Sequence, residues 1–199
     1  MSSKHLGYYH HNKLPHFDQA DAIQCITIRL QDALLPAHIR QLKMAGNAPA
    51  RSEFRELDDR LDRGYGASFL IEPHIARIII DALEFRDGRV FRMYAWVLMP
   101  NHMHMIIRQM EDQPLGTIVK SFKTYTARDI NKTRSRTGQV WQFDYFDRLI
   151  RSERQLSAAV DYLHYNPVKA GLVSQMKEWE YGSYRSYQRK LVQGLDPFV

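Results

Sequence analysis

His102 and His104 are separated by one residue and lie in the apolar segment 95–107. If this segment is a strand, residues two apart project from the same face, so the two imidazoles stand side by side while Met103 points the other way. Two adjacent imidazole nitrogens can bind one cation, although a bare His-x-His pair is often idle. The apolar surroundings favour the ligand interpretation, because two neighbouring imidazoles need a reason to lie there.

The rest of the sequence excludes three other uses of paired histidines. The zinc-peptidase pattern His-Glu-x-x-His is absent. A histidine-triad hydrolase would need another histidine at position 106, where the chain has Ile106. A two-histidine phosphoesterase would need a second His-x-Thr or His-x-Ser motif, which the chain lacks. Because Cys25 is the only cysteine, an intrachain disulfide and a cysteine-based zinc site are also excluded.

Tyr162 and Asn166 form a second candidate pair. Hydrophobic periodicity predicts a helix over 155–165, which Asn166-Pro167 is expected to interrupt or end, since the residue before proline is pushed out of the helical region. Residues four apart lie on one face of a helix, so the tyrosine hydroxyl and the amide would lie one above the other beside the buried stripe. A packed tyrosine and an ordinary Asn-Pro cap explain the same pattern. The pair alone leaves both interpretations open.

Basic residues are the third feature. Lys and Arg number 28 against 22 Asp and Glu, a net charge of +6, which is compatible with a polyanion such as nucleic acid. Aromatic side chains within 141–146 could stack on the bases of a single strand. A charge run is also typical of a solvated helix face. The candidate DNA-binding residues are Lys120, Lys123, Arg128, Lys132, Arg134, Arg136, Arg148 and Arg151.

Hydrophobic periodicity and turn residues predict the elements that position these side chains. Strands are predicted over 22–30, 90–98 and 102–108. Helices are predicted after Pro36 and over 51–63, 74–85, 115–131 and 155–165, with 51–63 as a solvated helix at the edge of the fold. Pro100-Asn101 joins the last two strands into a central hairpin. Strands mixed with helices around a hairpin indicate an α+β domain, an antiparallel sheet with helices packed on it.

The composition is that of an ordinary globular chain, with 199 residues, 44% hydrophobic and 25% charged. We divide the chain into a polar, flexible arm (1–20), a main domain (21–173) with a helical insertion at about 36–64, and a basic, aromatic tail (174–199). No apolar run approaches the roughly 20 residues that span a bilayer, and no signal peptide is expected at the N-terminus. With one cysteine, the reducing cytoplasm is the expected location.

Two motifs together resemble a known family. The segment AWVLMPNHMH, which ends at His104, resembles the HUH motif (His-hydrophobic-His) of single-tyrosine transposases. The segment DYLHYNPVKAGLV, which begins at Asp161, resembles the tyrosine-helix signature of the REP-associated tyrosine transposases. Further similar segments begin at Leu14, Ile26, Lys120 and Trp141, so the resemblance covers about residues 14–185 in the right order. The two signature motifs are specific in combination.

The resemblance implies a ferredoxin-like sheet with the HUH pair on a central strand. It implies that His102, His104 and Asn166 bind Mg²⁺ or Mn²⁺ and that Tyr162, rather than Tyr125, is the nucleophile. Two imidazoles and one amide oxygen suit these cations better than structural zinc. The implied substrate is a single-stranded DNA hairpin of the REP type (repetitive extragenic palindrome), which is nicked and transferred through a 5′-phosphotyrosine.

Two alternative functions stay open. One is a catalytically silent DNA-binding protein derived from a transposase. The intact set of two histidines, Tyr162 and Asn166 argues against it. The other is a metal-dependent DNA phosphodiesterase that releases its product to water, which the absence of a tyrosine–DNA adduct would reveal. The residues leave the choice between monomer and homodimer open, and they do not indicate which group removes the tyrosine proton.

Overall fold

The main sheet has four antiparallel strands, in a computed structural model that describes residues 5–11, 14–34, 51–110 and 113–193. The strands are β3 (Ile23–Arg29), β4 (Phe91–Leu98), β5 (His102–Gln109) and β6 (Phe146–Ile150). Their order across the sheet is β4-β5-β3-β6, so β5 lies between β4 and β3. This confirms the predicted antiparallel sheet with the histidine pair on a central strand.

The helices cover both faces of this sheet. They are α1 (Arg51–Asp62), α2 (Pro73–Arg86), α3 (Leu115–Thr133), α4 (Glu153–Lys169) and α5 (Tyr184–Val192). Helix α2 connects β3 to β4 and α3 connects β5 to β6, the βαββαβ order of the ferredoxin-like fold. Met103 and Met105 of β5 are buried with α2 and α3, whereas Ile106 is buried with α4. The two-residue period of the strand therefore turns His102 and His104 towards the α4 side.

Two paired strands lie within 7–18, in the segment where we predicted a flexible arm. Strands β1 (Gly7–His11) and β2 (Leu14–Asp18) pair with each other, and β2 packs beside β6. His16 is 1% exposed and bonds to Asp147 of β6, while Asp18 accepts hydrogen bonds from Gln109 and from the backbone of Leu115. The prediction was wrong over 7–18 because these polar side chains are buried against distant partners.

Helix α4 continues past the point where Asn166-Pro167 was expected to end it. Pro167 lies inside the helix, which closes its last turn through Ala170 N–H donating to the Asn166 carbonyl at 2.9 Å. Proline has no N–H and so removes one helical bond, a loss that is tolerable so close to the C-terminal end. As a result, Asn166 keeps helical geometry and lies one turn from Tyr162.

The remaining predicted elements agree with the structure to within a few residues. The helix predicted after Pro36 lies outside the described residues, and the domain boundaries stay a prediction. The tail contains a short 3-10 helix (Met176–Glu178) and α5, neither of which was predicted. Its backbone flanks β4, since Leu98 N–H donates to the Tyr181 carbonyl at 2.8 Å. Within the described ranges, no helix is long and apolar enough to cross a membrane.

Candidate metal and nucleophile site

The two imidazoles of the HUH motif converge on one point. Their Nε2 atoms lie 3.0 Å apart, with the rings edge to face. The outer nitrogens are engaged, His102 Nδ1 with the Asn101 side-chain oxygen at 2.7 Å and His104 Nδ1 with the Thr27 hydroxyl at 2.8 Å. Such partners fix the orientation of metal-binding imidazoles. Two adjacent ligands of an octahedral ion at about 2.1 Å would have nitrogens about 3.0 Å apart, as these do.

Burial makes both imidazoles neutral. It lowers the pKa of His102 well below its ordinary value and lowers the pKa of His104 to about 4. Because His102 Nδ1 donates to the Asn101 side-chain oxygen, Nε2 of the neutral His102 ring carries a lone pair, which it directs towards His104 Nε2 and which a cation could accept. Neutral imidazole is also the form that binds metals.

Buried oxygens without partners surround this pair. Asn166 is fully buried, and neither its Oδ1 nor its Nδ2 has a hydrogen-bond partner among the described residues. Asp58 Oδ1 lies 3.8 Å from His104 Nε2 and Asp62 Oδ1 lies 4.0 Å from His102 Nε2, and both are buried and unpaired within the same described ranges. Unpaired buried polar atoms are costly, so their presence indicates a ligand.

The donor set fits a divalent cation only when the amide is included. Over the described parts of the chain, no three His, Cys, Asp or Glu side chains are arranged to hold an ion by themselves. His104 and Asn166 line the same cleft, together with Thr27. The residues present are therefore compatible with the implied set of two imidazoles and one amide oxygen.

Tyr162 lines the same cleft as His104 and Asn166, and its hydroxyl accepts a hydrogen bond from Lys169 Nζ at 3.1 Å. Burial, reinforced by the negative charge of Asp58, raises the pKa of Tyr162, while the positive charge of Lys169 opposes this rise. The nucleophilic oxygen implied by the family resemblance thus faces the candidate metal ligands and has a cation beside it.

Helix α1 was predicted to be a solvated edge helix, but its C-terminal half covers the site. Lys169 Nζ lies 2.6 Å from Asp59 and 3.0 Å from Asp62, so one ammonium joins α1 to the hydroxyl of Tyr162. The sequence analysis missed Asp58, Asp59, Asp62 and Lys169. The acidic residues four apart at 58 and 62 were the available signal, since they share one helix face.

The structure does not bring the predicted DNA-binding residues together at this cleft. Of the eight, Arg148 lines it. The others are distributed over α3, its following loop and the β6–α4 connection, and several already have partners within the fold. Arg128 pairs with Asp129, Arg134 with Glu72 and Arg136 with the Gln139 carbonyl. Their role in binding DNA stays a prediction.

Tyr125 lies on the other side of the sheet from Tyr162. It belongs to α3, which packs with α2 against the face opposite α4. Its ring is 41% exposed and lies beneath the guanidinium groups of Arg86 and Arg128. The geometry therefore separates two tyrosines that sequence spacing alone could not distinguish.

Comparisons with known proteins agree with the two motifs. Residues 71–166, which contain both histidines and end at Asn166, match the model of the family described as "Transposase IS200 like". A Haemophilus influenzae protein ascribed to the REP-associated tyrosine transposases is 30% identical over 104 residues, 47% of this chain and 59% of that protein. The REP-associated tyrosine transposase of Escherichia coli K12 is 28% identical over 120 residues, 58% of this chain and 66% of that one. The matches thus span less than two thirds of either relative.

A solved structure has the same fold. It is the structure of a REP-associated tyrosine transposase bound to a REP hairpin, with a TM-score of 0.62 and 20% identity. The superposition covers 92% of this chain and 87% of the other. Because the identity is low, this likeness supports the fold and carries no residue assignments. Taken together with the two motifs, these matches confirm the resemblance of the chain to the REP-associated tyrosine transposases.

Proposed function

We propose that the chain is a metal-dependent enzyme that nicks single-stranded DNA at REP-type hairpins and transfers the strand through a 5′-phosphotyrosine on Tyr162. The observation that carries this proposal is the meeting of three features in one place. The His102 and His104 Nε2 atoms converge at 3.0 Å, and the Tyr162 hydroxyl and the unpaired Asn166 amide line the cleft beside them. The relative whose structure contains a REP hairpin supports the choice of substrate.

His102, His104 and Asn166 would hold Mg²⁺ or Mn²⁺. When bound, such an ion polarises the scissile phosphate and stabilises charge during an in-line displacement. The chain's own contribution is to hold the imidazoles through Asn101 and Thr27 and to keep them neutral by burial.

The Tyr162 oxygen attacks phosphorus, and the bond from phosphorus to the 3′-oxygen breaks. The phenol loses its proton in this step and the departing 3′-hydroxyl gains one. Lys169 donates a hydrogen bond to the attacking oxygen, so its positive charge stabilises the phenolate as it forms. The phosphotyrosine retains the energy of the phosphodiester bond, so a 3′-hydroxyl can rejoin the strand.

The test is incubation with a single-stranded REP-like hairpin and Mn²⁺, followed by denaturing electrophoresis. We expect a covalent protein–DNA adduct for the natural chain and for Tyr125→Phe, and none for Tyr162→Phe, which should still bind the hairpin. Mass spectrometry should find the nucleotide on the peptide that contains Tyr162; attachment at Tyr125 would refute the assignment. Cleavage without an adduct would favour the hydrolytic phosphodiesterase, and binding without cleavage the silent DNA-binding protein.

A further inference from the structure

Arg29 is a buried cation on the same sheet face as the histidine pair. It lies directly opposite His102 in the register of β3 and β5, and opposite residues project from the same face of an antiparallel pair. Arg29 is 4% exposed, yet its Nε and one of its Nη atoms have no hydrogen-bond partner in the part of the chain that the structure describes. A buried guanidinium with unsatisfied donors is costly unless it binds an anion.

Lys123, on α3, lies close enough to Arg29 for the two positive charges to interact. Its Nζ donates to the Phe143 carbonyl at 2.7 Å and lies 3.5 Å from the Asp144 carbonyl. Burial lowers the pKa of Lys123 to about 8; Asp144 opposes this shift and the positive charge of Arg29 adds to it. The positive charges of Arg29 and Lys123 therefore lie close enough to repel each other. The fold tolerates this repulsion although the two side chains share one nearby carboxylate, that of Asp144.

The neighbouring carboxylates are already engaged. His16 bonds to Asp144 at 3.0 Å and also to Asp147. Burial opposes protonation of this imidazole, but the two carboxylates outweigh it and raise the pKa of His16 to about 9, so the ring is positive at pH 7. This described network thus contains three positive side chains, those of Arg29, Lys123 and His16, and two carboxylates, those of Asp144 and Asp147. One positive charge has no counter-charge within it.

We infer that Arg29 and Lys123 form a phosphate-binding subsite for the DNA strand, separate from the candidate metal ligands. The inference rests on the proposed function, since it names where a phosphate beside the reacting one is held. Phe143, whose backbone carbonyl accepts the hydrogen bond from Lys123, is 64% exposed, so an accessible aromatic side chain belongs to the segment that forms the subsite. Cations beside an exposed ring are what single-strand binding proteins use to hold a phosphate and stack a base.

The test measures binding of a single-stranded REP-like hairpin as a function of salt, with Tyr162→Phe present in every variant to prevent chemistry. Arg29→Met should lower the slope of log K against log salt by about 0.7, the value for one lost phosphate contact on a single strand. The same substitution should raise the thermal unfolding midpoint of the DNA-free protein, because it removes a buried guanidinium whose Nε and one Nη make no hydrogen bond within the described residues. Arg77→Met, which removes an exposed cation paired with Asp81 on α2, is the matched control and should leave the slope unchanged.

An unchanged salt slope of hairpin binding for Arg29→Met would overturn the inference. If the thermal unfolding midpoint were lowered as well, Arg29 would have a structural role instead. If Arg29→Met does not fold, Lys123→Met tests the same subsite and should also lower the slope by about 0.7. Inorganic phosphate provides a further arm: if it stabilises the natural chain but not Arg29→Met while the DNA slope stays the same, the subsite binds free phosphate and the DNA assignment is wrong. Failure of the Tyr162→Phe protein to bind the hairpin at all would instead overturn the proposed function.

Discussion

Two fully buried polar side chains on opposite faces of the sheet differ in their hydrogen bonding. On the α2–α3 face, Thr126 is fully buried and satisfied, since its hydroxyl donates to the Phe122 carbonyl at 2.8 Å and accepts from Trp141 Nε1 at 2.9 Å. On the α4 face, Asn166 is equally buried, but its amide has no partner in the described ranges. The α2–α3 face around Thr126 is closed core (the closed face), whereas the α4 face around Asn166 is left open for something that binds (the open face). Strand β5 contributes to both, because alternate residues face opposite sides.

The largest effect is expected on the open face. His102→Ala or His104→Ala should reduce adduct formation to background, because each removes one of two converging Nε2 atoms. Both variants should still fold, as circular dichroism would show, although the cavity left by a buried ring should lower the unfolding midpoint. Direct Mn²⁺ binding, followed by electron paramagnetic resonance, should be lost in parallel. Wild-type cleavage by either variant in Mg²⁺ buffer would refute the metal assignment and remove the contrast between the faces.

The closed face should respond in the opposite sense. Met105, one residue from His104, is 1% exposed and packs in the larger core cluster. Met105→Ala should cost about 2–5 kcal/mol of unfolding free energy, measured by urea denaturation. The folded fraction should still bind Mn²⁺ and form the adduct. If Met105→Ala lost metal binding while fully folded, the two faces would not be independent.

A satisfied polar network should stabilise the protein in a definite pH range. The pKa of His16 is about 9 in the folded protein against 6.5 when unfolded, so its stabilisation is fully present below pH 6.5 and is lost as the pH rises through 9. The shift corresponds to up to about 3 kcal/mol. The free energy of unfolding should therefore fall between pH 6.5 and 9 in the natural chain and fall much less in His16→Gln. Equal pH dependence in both proteins would contradict the protonated state of His16.

The smallest effect is expected for Lys169, whose ammonium lies beside the Tyr162 hydroxyl. Lys169→Met removes the hydrogen bond to the Tyr162 hydroxyl and the charge that opposes the rise in its pKa. Single-turnover adduct formation should slow by about 10- to 100-fold at pH 7, and the rising limb of its pH profile should move to higher pH. Lys169→Arg keeps the charge and should recover part of the rate. A uniform loss of rate with no shift in the pH profile would assign Lys169 a structural role alone.

Local patterns predicted most of the fold and part of the site. The hairpin that carries His102 and His104, and helices α2, α3 and α4, follow from hydrophobic period and turn residues close together in sequence. Hairpin β1–β2 could not be predicted in this way, because His16 is buried only through its bonds to Asp144 and Asp147. The same holds for Lys169 and Asp62, which are 107 residues apart in the chain. Such pairings depend on the folded arrangement and leave no periodic signal.

One ammonium group ties α1 to α4, and this has a consequence for exchanging parts between relatives. Lys169 donates a hydrogen bond to the Tyr162 hydroxyl and is itself held by Asp59 and Asp62. A chimera that imports a foreign tyrosine helix but keeps the resident α1 would leave those carboxylates facing an unmatched partner. The two helices therefore form one unit of exchange, although ninety residues separate them, and recombinants should be designed to carry both segments from the same parent.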